Sequence, residues 1–425
     1  MTDYRQMWAD LGLDLEKHDL LLGALPALYE NIYLAQEARP EGMGYFDFVV
    51  SEVHGLRVKE LVDHRAKGGT VVGTYCVFVP EDIVLATGGV PVGLCAGTQF
   101  SVPDAEKVLP NNTCALIKSS FGFKVGRTCP YVQVSNFVVG ETTCDGKKKM
   151  YELLADHHPT YVMEVPQKKT DLARSLYHGE VLQFKERMEA EAGVRITAEG
   201  LASATALVDS KKRTLQRLNA TRKASPVPIS GLDALLINQV SFYDDVVRFT
   251  EKVNALAEEV EARIARKEGV FPADAPRILV AGSPMAIPNW KVHRILEDSG
   301  AAVVAEESCI GFRYYNYLTP QSDGTLEGQL RAISERHLEN HCACFTPNEE
   351  RTADILNLAK EYNVDGVVHY NLSFCQPYAN ETVKVRGALA KANIPVLSIE
   401  TDYSDGDMGQ IKTRVDAFLE MVRAR

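Results

Sequence analysis

The chain has 425 residues, of which 45% are hydrophobic and 24% are charged, and its formal net charge is −11. These proportions are typical of a globular protein with more than one domain, and the negative charge argues against a general nucleic-acid binder. The sequence contains no run of about 18 apolar residues, so we expect no membrane span. The first 20 residues lack the basic and then apolar profile of a secretory signal. We therefore expect a cytoplasmic protein.

The first half of the chain predicts a helical segment followed by an α/β domain. Residues 1–60 form the predicted helical N-terminal segment, and residues 61–195 form the predicted first α/β domain. Short apolar runs rich in β-branched residues predict strands at 70–76, 90–95, 131–139 and 161–165. Because these runs alternate with helical stretches, we expect a parallel sheet.

The second half predicts a helical connector and a second α/β domain. Residues 196–270 form the connector, with helices at 197–222 and 241–267 separated by Pro226, Pro228 and Gly231. In the second domain, residues 271–425, we expect strands at 278–281, 301–305, 365–374 and 394–399. We expect Asn289 to cap a helix and the last helix to bury one apolar face.

The nine cysteines are the main functional signal. A cytoplasmic location and an odd number argue against disulfides, and the absence of any C-x-x-C pair weakens zinc-ribbon and thioredoxin interpretations. A single cysteine is usually a small buried hydrophobe. In open parallel sheets, however, ligands bind beyond the carboxyl ends of strands. Four cysteines follow predicted strands, namely Cys76, Cys144, Cys309 and Cys375.

Three further cysteines lie in loops that lead into predicted helices. These are Cys114, Cys342 and Cys344. Thiolates are metal ligands, and helix N-termini lower a thiol's pKa. Several thiolates could hold an iron–sulfur cluster, or four could hold structural zinc. The residues alone leave both alternatives open.

The other polar residues near the cysteines give weaker indications of function. We expect the lysines at 147–149 to form an exposed helical turn, with a docking surface for an acidic partner as the alternative. The chain has no P-loop motif, so we expect no ATP site. Glu141, Glu307, His341 and His369 lie near the cysteines as possible proton donors, although supporting or surface positions fit each of them.

Several long motifs resemble the 2-hydroxyacyl-CoA dehydratase and benzoyl-CoA reductase superfamily. Two of them are YCVFVPEDIVLATGGVP (residues 75–91) and VDGVVHYNLSFC (364–375), the latter followed by IETDY (399–403). Within this superfamily, other segments resemble the branch called double-cubane-cluster proteins. They are CALIKSSFGFK (114–124), the pair Cys129–Pro130, ETTCDGKKK (141–149) and CACFTPNEER (342–351).

The resemblance implies two Rossmann-like α/β domains with an iron–sulfur cluster in the cleft between them. In the dehydratases three cysteines hold one [4Fe–4S] cubane, and these correspond to Cys76, Cys114 and Cys375. The additional cysteines imply a double-cubane [8Fe–9S] cluster with about six thiolates. We assign Cys344 in preference to Cys342, and Cys144 in preference to Cys129, while Cys95 is placed in the core. The predicted ligands are Cys76, Cys114, Cys144, Cys309, Cys344 and Cys375.

The resemblance also implies an enzyme with a separate electron donor. The expected function is an iron–sulfur reductase that receives low-potential electrons from an ATP-hydrolysing [4Fe–4S] activator and reduces a small-molecule substrate. A homodimer is expected. One alternative is a dehydratase or aryl-CoA reductase subunit with a single [4Fe–4S] cluster. Another is a non-enzymatic electron carrier or cluster scaffold, and a third is a structural zinc protein.

Overall fold

The computed structural model describes residues 4–425, and within that range eight strands form two four-stranded sheets that are entirely parallel. The first sheet has the order β2-β1-β3-β4 and the second has the order β6-β5-β7-β8. The strands are β1 (Val71–Thr74), β2 (Val90–Gly93), β3 (Phe137–Glu141), β4 (Thr160–Met163), β5 (Arg277–Gly282), β6 (Ala302–Glu307), β7 (Gly366–Leu372) and β8 (Val396–Thr401). The α/β fold class with two parallel sheets is therefore confirmed.

Four of the eight strands are buried along their whole length. Every residue of β1, β3, β6 and β7 is buried, as expected for parallel strands that are covered by helices on both sides. Each sheet has the same strand order when its strands are numbered along the chain. The two α/β regions therefore share one topology.

Helices surround both sheets and form the N-terminal and central segments. The N-terminal and first-sheet helices are α1 (Arg5–Asp10), α2 (Leu15–Tyr29), α3 (Met43–Ser51), α4 (Leu56–Ala66), α5 (Glu81–Ala86), α6 (Val102–Ala105), α7 (Ala115–Val125), α8 (Pro130–Val134), α9 (Asp145–Leu154) and α10 (Asp171–Ala192). The helices that follow are α11 (Ala198–Ala220), α12 (Gly231–Val240), α13 (Val246–Ala265), α14 (Lys291–Asp298), α15 (Phe312–Tyr315), α16 (Leu326–Leu338), α17 (Glu349–Glu361), α18 (Gln376–Lys391) and α19 (Met408–Arg423). A π-helical turn, Glu30–Leu34, continues α2, and a 3₁₀ turn, Thr221–Lys223, follows α11.

Several sequence predictions of individual elements were wrong. The strand expected at 131–139 is instead the short helix α8 followed by β3, because Pro130 begins a helical turn. Asn289 does not cap α14, because the N-cap residue is Trp290. The Asn289 side-chain amide instead donates to the Tyr370 hydroxyl at 2.8 Å. Cys95 lies two residues beyond the end of β2 and not within it.

Contacts between the two halves close a cleft at the carboxyl ends of both sheets. The backbone N–H of Ala115 donates to the carbonyl of Ser373 at 3.3 Å. Arg336 of α16 forms a buried ion pair with Asp82 of α5 at 2.6 Å. Phe345, beyond α16, packs in the core of the first sheet. These contacts fix the loops that carry the cysteines relative to one another.

Within residues 4–425, no helix has both the length and the apolar character needed to cross a membrane.

Candidate iron–sulfur site

Three cysteine-bearing loops follow strands that lie next to the point where the strand order of a sheet changes direction. In the first sheet the chain moves from β1 outward to β2 and then back to β3, so the reversal lies between β1 and β3. Cys76 follows β1 and Cys144 follows β3. In the second sheet the reversal lies between β5 and β7, and Cys375 follows β7. Such reversal points form the ligand-binding crevices of open α/β sheets.

Four cysteines occupy the N-cap positions of helices. Cys114 precedes α7, Cys129 precedes α8, Cys144 precedes α9, and Cys375 precedes α18. At an N-cap the unpaired N–H groups and the helix dipole favour negative charge. A thiolate, or an anionic group bound to it, is therefore stabilised at each of these positions.

Cys114, Cys144 and Cys375 form a first set of neighbouring thiols. A hydrogen bond from the Cys375 thiol, helped by the N–H groups of Ile117 and Leu116, lowers the pKa of Cys114 to about 7. The same hydrogen bond, together with burial, raises the pKa of Cys375 well above its ordinary value. Burial raises the pKa of Cys144, and the nearby Cys114 sulfur adds to this effect. The set joins two loops of the first half to one loop of the second.

Cys76, Cys309, Cys342 and Cys344 form a second set. A hydrogen bond from the Cys344 thiol lowers the pKa of Cys342 to about 5, with further help from Arg313. Burial raises the pKa of Cys309 to about 11 and raises the pKa of Cys76 well above its ordinary value, and the Cys342 sulfur is near enough to add to both shifts. This set also draws on both halves of the chain.

One open cavity connects the two sets. Its volume is about 640 Å³, and it is lined by Cys114, Cys144, Cys344 and Cys375. Cys129 lies elsewhere, in a separate apolar cavity. The structure thus places the six predicted ligands and Cys342 in two neighbouring sets, and it leaves Cys129 apart.

Lys147 is buried between the two sets, which contradicts the exposed position expected for residues 147–149. Its ammonium forms an ion pair with Glu141 and donates to the carbonyl of Tyr75 at 3.3 Å. Burial opposes the positive charge, but Glu141 more than offsets this and holds the pKa of Lys147 well above its ordinary value. Only Lys148 and Lys149 are exposed, in ion pairs on the surface of α9.

A second buried group of charged side chains lies beside Cys342. Glu307 forms ion pairs with Arg313 and Arg351, both at 2.8 Å, and all three side chains are fully buried. Arg313 also donates to the Tyr378 hydroxyl, which lies 3.8 Å from the Cys342 sulfur. Arg351 also pairs with Glu381, so the group as a whole is neutral. The Arg313 guanidinium is the part of it that favours anionic sulfur at Cys342.

Gly282, at the end of β5, lies close to the backbone of β7 and binds Arg313. Gly282 has φ +132°, and a Cβ there would lie 1.9 Å from the carbonyl oxygen of Tyr370. Its own carbonyl accepts from Arg313 at 2.6 Å. Only glycine allows this close approach, so the residue fixes Arg313 over the site.

The family model described as "2-hydroxyglutaryl-CoA dehydratase, D-component" matches residues 76–422. The chain belongs to this family. The match begins at Cys76 and includes every cysteine of both sets, so the two sets are part of the family region and not of an appended segment.

Relatives of the same dehydratase family cover almost the same length. YjiM of Escherichia coli strain K12, whose name marks it provisionally as a dehydratase subunit, is 38% identical over 379 residues, which is 88% of this chain and 96% of YjiM. The (R)-phenyllactyl-CoA dehydratase beta subunit of Clostridium sporogenes is 24% identical over 85% of this chain and 94% of its own length. One of the subunits of the benzoyl-CoA reductase of Thauera aromatica is 19% identical over 83% and 91%. The family thus contains subunits of dehydratases and of a reductase.

The donor set of this dehydratase-family chain fits an iron–sulfur cluster. Among residues 4–425, no three His, Cys, Asp or Glu side chains form a ready site for one metal ion. In a cluster each thiolate binds its own iron, so the ligands need not converge on one point. Soft thiolates, helix N-termini and the nearby Lys147 and Arg313 side chains are features that suit an anionic cluster.

Each candidate proton donor already has a protein partner. Glu141 and Glu307 form the ion pairs described above, His341 lies 2.6 Å from Asp354, and His369 lies 3.0 Å from the Thr382 hydroxyl. Sequence reasoning missed Lys147, Arg313 and Tyr378 as members of the site. One signal was present, because a glutamate at the end of the buried strand β3 requires a cation.

Proposed function

We propose that this chain is an iron–sulfur reductase that reduces small molecules at a double-cubane [8Fe–9S] cluster. The observation that carries the proposal is the grouping of seven thiols in two neighbouring sets, three in the first and four in the second, with four of the seven lining one open cavity. A single cubane of the dehydratase type uses three cysteines, so the chain offers more thiols than one cubane needs.

Six of the seven thiols would hold the cluster. They are the predicted ligands Cys76, Cys114, Cys144, Cys309, Cys344 and Cys375. Cys342 faces Arg313 and Tyr378 and not the open cavity, which supports the choice of Cys344. When bound there, such a cluster would supply one-electron redox chemistry for the reduction of a substrate.

The protein's own contribution is electrostatic. The Lys147 ammonium and the Arg313 guanidinium lie near the thiols, each paired with a buried glutamate. These local positive groups would favour anionic sulfur at the sites that hold the cluster. Tyr378 is positioned to donate to the Cys342 sulfur at 3.8 Å. Ligand identity, hydrogen bonds to sulfur and burial are the means by which a protein sets a cluster's reduction potential.

The electron donor is proposed to be a separate ATP-hydrolysing activator with its own [4Fe–4S] cluster. The chain lacks a P-loop motif, and the open cavity reaches the surface next to Cys144 and Cys375. We further propose a cytoplasmic homodimer.

A single-cubane dehydratase subunit is the second candidate function. The name of the Clostridium sporogenes relative favours it. This alternative requires a CoA thioester substrate, a second subunit and about four irons per chain. The double-cubane proposal requires about eight.

Replacement of Cys144 by serine tests the ligand assignment. We expect Cys144→Ser, purified without oxygen, to lose iron, sulfide and visible absorbance. Cys129→Ser is the matched control, because Cys129 is also a helix N-cap but lies outside both sets, and it should retain them. Unchanged iron and sulfide in Cys144→Ser would remove Cys144 from the ligands.

Turnover distinguishes an enzyme from an electron carrier or scaffold. The protein is mixed with an ATP-hydrolysing activator, MgATP and a low-potential reductant, and reduction of small uncharged molecules is measured. We expect product formation that requires both ATP and activator. Cluster reduction without any turnover would favour the carrier.

A further inference from the structure

Two adjoining apolar cavities lie beside the second cysteine set and share no lining residue with the open cavity. The inner cavity has a volume of about 70 Å³ and is lined by Cys76, Cys309 and Lys147, among others. The outer cavity has a volume of about 110 Å³ and lies beneath α2. Four residues line both cavities and form the wall between them. They are Gly93, Cys95, Tyr243 and Ile287.

The cavity walls exclude charged ligands. The outer cavity is lined by no Lys, Arg, Asp or Glu within the described part of the chain. The inner cavity has one charged lining residue, Lys147, which is already paired with Glu141. The phosphates of a CoA thioester would therefore find no free counter-charge along this path.

Two buried tyrosine hydroxyls face these cavities without a protein partner. Tyr75 lines the inner cavity and Tyr243 lines both. Their side chains are 3% and 4% exposed, and neither hydroxyl has a hydrogen-bond partner among residues 4–425. Buried polar groups are nearly always paired, so each hydroxyl is available to donate a hydrogen bond to a molecule in the cavity that its tyrosine lines.

The volumes limit the size of that molecule. One water requires about 10–15 Å³ of such space, and a dry apolar cavity of about 150 Å³ holds xenon or benzene. Each cavity here therefore fits a molecule of a few heavy atoms that is uncharged and able to accept one hydrogen bond.

The helix that covers the outer cavity is weakened at that point. Leu22 and Leu25 of α2 line the cavity, and Pro26 lies inside the same helix. Proline has no N–H, so the carbonyl of Leu22 loses its helical donor. The π-helical turn Glu30–Leu34 follows directly, and such turns are frequent at functional sites. The helix that covers the cavity thus lacks one helical hydrogen bond at Leu22, a residue that lines the cavity.

We propose that the two cavities form an internal path by which small uncharged molecules pass from beneath α2 to Cys76 and Cys309. Reduction of these molecules at the cluster rests on the proposed function. Their binding in the two cavities does not. The wall of Cys95, Tyr243 and Ile287 separates two binding positions along the path.

Xenon is the probe, because it is uncharged and matches the cavity size. Crystals of the holoprotein are pressurised with xenon, and we expect a xenon atom in the outer cavity and another in the inner cavity. Leu25→Trp and, independently, Val53→Phe place a larger side chain in the outer cavity and should abolish xenon there. Leu20→Trp, on the same helix but 65% exposed, is the matched control and should bind xenon like the unaltered protein.

Absence of xenon from both cavities in the unaltered protein would overturn the path, and so would unchanged occupancy in both filled variants. Iron analysis of the same preparation separates this result from the proposed function. An iron-loaded protein without xenon would refute the path alone. A metal-free protein that binds xenon would refute the proposed cluster alone.

Discussion

Removal of the buried Lys147 ammonium should destabilise the protein strongly. Lys147 is 14% exposed, and its partner Glu141 is fully buried. Glu141 also accepts from the Tyr151 hydroxyl at 3.0 Å and the Thr143 hydroxyl at 3.2 Å. Loss of one member of a buried ion pair costs about 3–5 kcal/mol. Because two neutral hydrogen bonds remain on Glu141, we expect Lys147→Met to lower the free energy of unfolding by about 3 kcal/mol.

The assay is urea unfolding of each variant under anaerobic conditions, with the denaturant midpoint compared at constant slope. Lys147→Met with Glu141→Gln leaves no unpaired charge, so the double variant should recover most of the loss. Lys149→Met, on the exposed face of the same helix, should show no measurable change. A loss below about 1 kcal/mol in Lys147→Met, or no recovery in the double variant, would refute a structural role for this pair.

Three other predictions concern the framework of the site. Burial raises the pKa of Glu306, but the ion pair with Arg222 outweighs burial and lowers this pKa from 4.5 to about 2. As the pH falls, Glu306 is therefore protonated in the unfolded state before it is protonated in the folded state. Stability should therefore fall as pH decreases from 4.5 toward 2, and Glu306→Gln should weaken this dependence in acid-unfolding curves. Phe374 has φ +66°, a conformation that costs a residue with a Cβ about 1–2 kcal/mol. Phe374→Gly should therefore raise the free energy of unfolding in urea by about 1 kcal/mol, and a loss in this variant would contradict strain there. Arg336→Met leaves the buried Asp82 without its ion-pair partner and should lower the free energy of unfolding by about 3–5 kcal/mol. Recovery of most of this stability when Asp82→Asn is added to the same chain would confirm the pair.

The positions of the cysteines could be predicted from the sequence because strand ends in a parallel sheet share one edge. Cys76, Cys144, Cys309 and Cys375 each follow a strand, as expected. Helix α12 could not be predicted, since all ten of its residues are buried and such a helix has no amphipathic period.

The burial of Lys147 does not follow from the lysine run itself, and Glu141 is its one signal in the sequence. A lysine run at a helix start usually indicates a solvated turn. The side chain points inward because Glu141, at the end of the neighbouring strand, is fully buried and requires a positive partner. The division of the thiols into two sets likewise depends on contacts between the two halves of the chain, which periodicity does not report.

Quantification of iron, acid-labile sulfide and zinc in protein purified without oxygen distinguishes the proposed cluster from its alternatives. For a double-cubane cluster we expect about eight irons and about nine sulfides per chain, with no stoichiometric zinc. About four irons would support the single-cubane dehydratase subunit instead. A colourless protein with zinc, or one free of metal, would contradict the assignment of the thiols to an iron–sulfur cluster.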